Sequence, residues 1–178
     1  MRKVIYGGAC SLDGYFAARD GAIDWLHFSK DVEAIMRQSW AHTDTVLLGR
    51  KTWEFTQAHA GAAPDDPAVA AVKSYVFSRT LKTIPDKKAE LVTSDAGAFV
   101  RKLKAAPGKD ILVMCGGNFA AALLKAGLVD EIGLNIHPLL LGGGPPAFLD
   151  PGDRVKLELK ECRQLDGGCV FVRYGVKP

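Results

Sequence analysis

The period of the apolar positions changes several times along the chain, and each change marks an element boundary. "KVIYGGAC" (Lys3 to Cys10) reads as a buried strand, followed by a long loop rich in Asp and Gly. "SKDVEAIMRQSW" sets apolar residues at 32, 35, 36 and 40, a helical spacing. Ser29 suits its N-cap, and Asp31 and Glu33 fall in the first turn, where the helix dipole favours acids. "TVLLG" predicts a strand and "RKTWEFTQA" a short helix; "HAGAAPDDPAVAA" is a Pro/Ala/Gly-rich surface connection. "SYVFS" and "AELVTS" are strands, and "DAGAFVRKLKAA" is a helix with Asp95 near its start, stopped by Pro107 and Gly108. "DILVMCGG" is a strand, and "NFAAALLKAG" a helix ended by Gly127. "VDEIGLNIHPLLLGGG" is a strand entering a Gly-rich turn, and two alternating segments flank "DGG" (166 to 168), a hairpin signal. Strands alternating with helices, then a hairpin, predict an α/β domain with a mainly parallel sheet and an antiparallel edge. No repeat or boundary divides the chain, so one domain is expected over residues 1–178.

Composition narrows the class of ligand. The 178 residues are 48% hydrophobic and 24% charged, which suits a buried core of ordinary size. Lys and Arg number 23 against 20 Asp and Glu, a net charge of +3 that favours a small anionic ligand. That balance lacks the basic stripe of a nucleic-acid binder. The N-terminal apolar run is broken by Gly7, Gly8 and Asp13, and no run of about 18 apolar residues occurs, so neither a secretory signal nor a membrane span is expected. The four cysteines contain no C-x-x-C pair, which points to reduced thiols in a cytoplasmic protein and to no metal site.

Ligands of open α/β sheets bind beyond the carboxyl ends of the parallel strands. Four such ends carry Ser11-Leu12-Asp13-Gly14, Gly49-Arg50-Lys51-Thr52, Ser78-Arg79-Thr80 and Gly116-Gly117-Asn118. Glycine lets backbone approach a ligand, and a helix N-terminus offers free N–H groups and positive dipole. Arg50, Thr52, Ser78 and Arg79 add cationic and hydroxyl donors. Any one junction is ordinary loop chemistry. Their co-location suits a ligand with several phosphates, and two cations on neighbouring ends favour NADPH over NADH. Other phosphate signatures fail: Asp44 stands where a P-loop needs its first Gly, and no G-x-G-x-x-G follows the first strand. "LLLGGGPPAF" suits a turn or flap better than a phosphate loop.

"LLGRKTWEF" resembles the Gly-Arg-x-Thr-Trp/Tyr-Glu segment of dihydrofolate reductases, and "MCGGNFAAALLKAGLVDEI" their Gly-Gly segment and helix. "ACSLDGYFA" and "HPLLLGGGPPAF" look closer to the C-terminal reductase domain of the bifunctional riboflavin-biosynthesis deaminase-reductase. The motifs span residues 3 to 176, and stand-alone reductase-domain proteins of this superfamily are the nearest match. The resemblance implies a dihydrofolate reductase-like three-layer sandwich with helices on both faces, and an NADPH-dependent reductase acting on a small heterocyclic or ribosylated pyrimidine-like substrate. In those terms Gly49, Arg50, Lys51 and Thr52 hold cofactor phosphate, and Ser78 and Arg79 meet the 2′-phosphate. Gly116 and Gly117 lie against the pyrophosphate, through a peptide that is cis in dihydrofolate reductases, and Asn118 and Phe119 open the next helix. Ala9 and the loop Asp13, Gly14, Phe16 match the nicotinamide region.

The substrate side departs from the pattern. Dihydrofolate reductases hold the pterin with a carboxylate in the first helix. Asp31 lies near that place with Glu33 as rival, although an acid that satisfies the helix dipole is the plainer account. Asp31 or ordered water is then the source of the proton. "IDWL" (Ile23 to Leu26) forms a pocket wall in this reading, with Trp25 otherwise a core aromatic. The zinc motif of the deaminase half does not occur in this chain. His27, His42, His59 and His137 are scattered and lack nucleophile motifs; His137, before Pro138 at a strand end, is the one placed to serve a pocket. Dihydrofolate reduction and a non-catalytic NADP-binding module stand as alternatives. A homodimer joined through the C-terminal hairpin is also expected.

Overall fold

Side chains alternate across each strand, so a strand buried on both faces feeds two cores at once. The computed structural model, which describes residues 1–58, 69, 71–85 and 88–177, builds such strands throughout its centre. Most of the connection expected over 59–71, His59 included, lies outside the described residues. Chain order runs β1 (Val4–Ser11), α1 (Lys30–Ala41), β2 (Thr43–Gly49), α2 (Arg50–Ala58), β3 (Lys73–Phe77), β4 (Ala89–Val92). It continues through α3 (Ala96–Ala105), β5 (Asp110–Met114), α4 (Gly117–Lys125), β6 (Glu131–His137), β7 (Leu157–Gln164) and β8 (Val170–Val176).

The strands form one eight-stranded sheet in the order β4-β3-β2-β5-β1-β6-β8-β7. β1 to β6 are parallel, β8 pairs antiparallel with β6, and β7 with β8. This is the mainly parallel sheet with an antiparallel hairpin that the residue pattern predicts. The turn of the hairpin is a short 3-10 segment, Asp166–Gly168, in which Gly167 and Gly168 take φ of 73° and 75°.

Leu47 joins Val100 of α3 and Leu123 of α4 in the largest core cluster. Its neighbours Val46 and Leu48 pack instead with Trp53 of α2 and Trp40 of α1. Right-handed crossovers explain the division: the chain steps one way across the sheet through α1 and α2 and returns through α3 and α4, so the pairs lie on opposite faces. A smaller cluster of Val32, Leu165, Cys169 and Phe171 ties α1 to the hairpin. At the start of β2, the buried Arg2 bonds Asp44, Thr45 Oγ1 at 2.6 Å and the Lys109 carbonyl at 2.6 Å, pinning the N-terminus.

At the other end of the sheet, the loops after β1 and β6 are joined. Phe16 N–H donates to Pro145 O at 2.9 Å, and Ala147 N–H to Gly14 O at 2.8 Å. The Tyr6 hydroxyl donates to Ala147 O from within the core. Gly144, with φ of 134°, passes so close to the Ala17 carbonyl that a Cβ there would collide with it. The "GGGPP" run is thus a turn clasped to the first loop. Among the described residues no helix is long and apolar enough to cross a membrane.

Candidate functional site

Three strand ends lie side by side at the carboxyl edge, because β5 enters the sheet between β2 and β1 while β3 flanks β2. Gly49 ends β2 in register with Phe77 of β3. A Cβ on Gly49 would sit 3.6 Å from that of Cys115, so the β2 and β5 ends approach closely. α2 begins at the next residue, so the position before its first turn is a glycine with no side chain to cap it. α4 starts just after β5 with Gly116 as N-cap and no side-chain bond. The exposed Gly116 has open space where a Cβ would lie, whereas a Cβ on buried Gly117 would press on Leu149 and Pro146 at 3.0 Å. The Gly116–Gly117 peptide is trans, as are all described peptides, which answers a point the sequence leaves open. The trans bond is the lower-energy form for any non-proline residue. Asn118 is exposed in the first turn of α4, and Phe119 stacks at 4.7 Å on Phe77, tying β3 to that helix.

Side chains around this edge differ in how far they are already engaged. Arg50 Nε donates to Glu54 at 2.7 Å and its Nη1 to Thr80 Oγ1 at 3.0 Å, linking the β2 and β3 ends. Ser78 Oγ accepts from the N–H groups of Thr80 and Leu81 at 3.2 and 3.0 Å and shapes that loop. Lys51 and Arg79 are exposed and, among the described residues, form no bond or ion pair. Thr52 is half-buried in the first turn of α2. Cys115, buried beneath this edge, has its thiol pushed up to about 12 by burial, so it is neutral and unreactive.

A cavity of about 230 Å3 opens between α1 and the sheet face of β5, β1, β6 and β8. Val32, Ile35 and Met36 of α1 form its roof. Ile5, Gly7 and Ala9 of β1 lie on its floor beside Gly133, Asn135 and His137 of β6. Gly7 and Gly133 are directly paired, so the floor is bare backbone at its centre. A Cβ on Gly7 would collide with the Gly133 carbonyl, whereas one on Gly133 would meet only Phe171, at 3.9 Å. Met114 and Ala9 bring the cavity to the carboxyl edge, next to the open start of α4.

His137 is buried at the end of β6, with Nε2 accepting from His27 N–H at 3.1 Å and Nδ1 facing Asn135 O at 3.4 Å. That pairing requires the proton on Nδ1, and burial holds its pKa below the ordinary value. The ring therefore acts as a peg for residues 26 to 28, which line the cavity. Trp25 packs edge-on to the same ring at 5.1 Å and donates to Ala22 O at 3.3 Å. It supports the wall from behind, and Leu26 rather than Trp25 faces the cavity.

The carboxylates expected at the site are engaged elsewhere. Asp31 takes the Ser29 hydroxyl, Val32 N–H at 2.9 Å and Asp166 N–H at 2.8 Å, so it caps α1 and ties it to the hairpin turn. The Ser29 bond above all holds its pKa below the usual carboxylate value, and its side chain does not line the cavity. Asp13 accepts from Ser11 Oγ at 2.6 Å and from the N–H groups of Leu141 and Gly142 at 3.1 and 2.8 Å. It clasps the two loops together. Gly14, with φ of 82°, makes the turn between them, and Phe16 lies against Gly8 and Tyr6. Sequence reasoning missed Asn135, Arg173 and the paired glycines. The signal was present in "EIGLNIH", where Gly133, Asn135 and His137 share the face opposite Ile132, Leu134 and Ile136.

Comparison with known proteins bears on the family and the fold. The model of the RibD C-terminal domain matches residues 2–171. An uncharacterised Bacillus subtilis (strain 168) protein, YyaP, is 33% identical across 98% of this chain and 95% of its own length. A crystal structure from Shewanella sp. PV-4, provisionally assigned to riboflavin biosynthesis, superposes with a TM-score of 0.86 at 25% identity, covering 99% of both chains. The riboflavin biosynthesis protein RibD of Mycobacterium tuberculosis (H37Rv) is 28% identical over 85% of this chain, which spans only 47% of that protein. The three-layer sandwich is dihydrofolate reductase-like, and the chain belongs to the RibD C-terminal domain family.

Proposed function

We propose that this protein is an NADPH-dependent reductase whose cofactor lies along the β3, β2 and β5 ends and whose substrate ring enters the α1 cavity. The observation that carries the reading is the pair of helix starts after β2 and β5, where Gly49 and Gly116 have no side chain to act as a cap, beside Arg79 and Lys51, which have no partner among the described residues. Free N–H groups at a helix N-terminus and unpaired cations are what phosphate groups require. Gly49, Arg50, Lys51 and Thr52 would hold one phosphate, and Ser78 and Arg79 the 2′-phosphate. Gly116, Gly117, Asn118 and Phe119 would receive the pyrophosphate. Ala9 and Phe16 would flank the nicotinamide, with Asp13 and Gly14 keeping that loop in place. When bound, the cofactor would supply a hydride to an electron-poor C=N or C=O carbon. The chain itself contributes orientation and exclusion of water by the apolar roof of α1.

Asp31 is fully engaged and held ionised, which favours ordered water as the proton source and counts against dihydrofolate as substrate. A ribosylaminouracil phosphate of the riboflavin route, or a related small heterocycle, fits the family better. Titration with NADPH, followed by its oxidation in the presence of the ribosylaminouracil phosphate or dihydrofolate, tests this. Failure of NADPH and NADP+ to bind at millimolar concentration refutes the cofactor reading. Binding without turnover of either substrate leaves a non-catalytic NADP-binding module or another substrate. Pairing of two copies along the exposed β7, which presents Leu157 and Leu159, belongs to the same reading and is testable by sedimentation.

A further inference from the structure

We propose that Asn135, with Arg173 beside it, determines which ring the cavity accepts, by pairing with an N–H next to a carbonyl on an uncharged planar ligand. This rests on the cavity being the substrate site. Asn135 Oδ1 and Arg173 Nε are both shielded from solvent and have no hydrogen-bond partner among the described residues, and both residues line the cavity. Native proteins pair nearly all such atoms, so two orphans at one cavity indicate partners that arrive with a ligand. They share a face by strand register: Asn135 stands opposite Phe171, and Arg173 opposite Gly133. Gly133 has no side chain to interpose, and a ring lying on the bare Gly7–Gly133 backbone would reach both groups.

An amide presents a donor and an acceptor together, so its complement is an N–H beside a C=O. Arg173 adds a donor for a further acceptor on the same ring. That acceptor is neutral, because Glu131 and Glu161 already lie 3.8 Å from the guanidinium, too far to bond but close enough to oppose an anion. His137 does not compete, since both its ring nitrogens are engaged within the chain.

The test is calorimetric titration, with no nicotinamide present, of quinazoline-2,4-dione and its 1,3-dimethyl derivative, in which both N–H groups are blocked. The parent compound is expected to bind and the dimethyl compound to bind about tenfold more weakly or not at all. Asn135→Leu should weaken the parent by a similar factor while leaving the ligand-free melting temperature unchanged or raised, because it removes an unpaired buried acceptor. A purely structural Asn135 would instead lower the melting temperature and leave affinity intact. Asn135→Ala serves if leucine does not fit. Millimolar inorganic phosphate should not displace the parent compound. Absence of binding to the native protein, equal affinity for the two compounds, undiminished binding by both variants, or displacement by phosphate would each overturn the proposal. Loss of NADPH binding alone would sink the reductase reading and leave this result standing.

Discussion

The first turns of α1 and α3 are closed by the side chains of Ser29 and Asp95, while glycines, Gly49 and Gly116, stand before α2 and α4. These four helices follow the same strand-to-helix logic, yet the closed starts follow β1 and β4, whereas the open ones follow β2 and β5, which pair with each other. Glycine at the two open starts costs only about a few tenths of a kcal/mol relative to a side-chain cap, and it leaves the N–H groups of the first turn accessible to a ligand. Closed starts serve the fold, and open ones are available for recognition.

The sharpest way to break this comparison is to fill an open start. Gly116 has extended φ and ψ and empty space at its Cβ, so Gly116→Val should fold normally. NADPH affinity should nevertheless fall by about a hundredfold, measured by fluorescence titration, through lost approach of the phosphate to two N–H groups. Unchanged affinity would mean that α4 does not receive the cofactor. Arg79→Ala comes next: NADPH should weaken by about tenfold or more while NADH changes little, and equal losses would remove Arg79 from the 2′-phosphate. Arg50→Ala should cost only about threefold, since its guanidinium is already shared with Glu54 and Thr80. At a closed start the effect should switch to stability. Asp95→Ala is expected to lower unfolding free energy by about 1 kcal/mol in urea denaturation, with NADPH affinity intact.

The smallest effect concerns the peg under the cavity wall. His137 in the folded chain holds its proton less tightly than the ordinary value of 6.5, so the unfolded chain protonates first. Its contribution to stability is complete above 6.5 and declines as pH falls below it. Melting temperatures between pH 8 and 5 should show this limb, and His137→Gln should flatten it.

Much of the fold was legible because each element's signal is local. Period-2 and 3.6 runs, Ser29, Asp95, Gly127 and the "DGG" turn all act within a few residues of themselves. The strand-end residues proposed to hold the cofactor were read for the same reason, since these glycines and cations follow their strands directly. The substrate side was not. Asp31 looked like a free carboxylate because its partner Asp166 lies 135 residues away. Asp13 is likewise engaged by Leu141 and Gly142 across the fold. The alternation around Asn135 is visible in the sequence, but only the packing of α1 and the register with β8 show that its amide lines a cavity unpaired.

The two paired glycines on the cavity floor differ in what substitution can do to them. At Gly7 any side chain is barred by the neighbouring carbonyl, whatever the ligand. At Gly133 a side chain would meet only ordinary contact and point into the space above the floor. Substitution at position 133 can therefore reshape the cavity floor without disturbing the sheet. The fold keeps an adjustable position beside a frozen one.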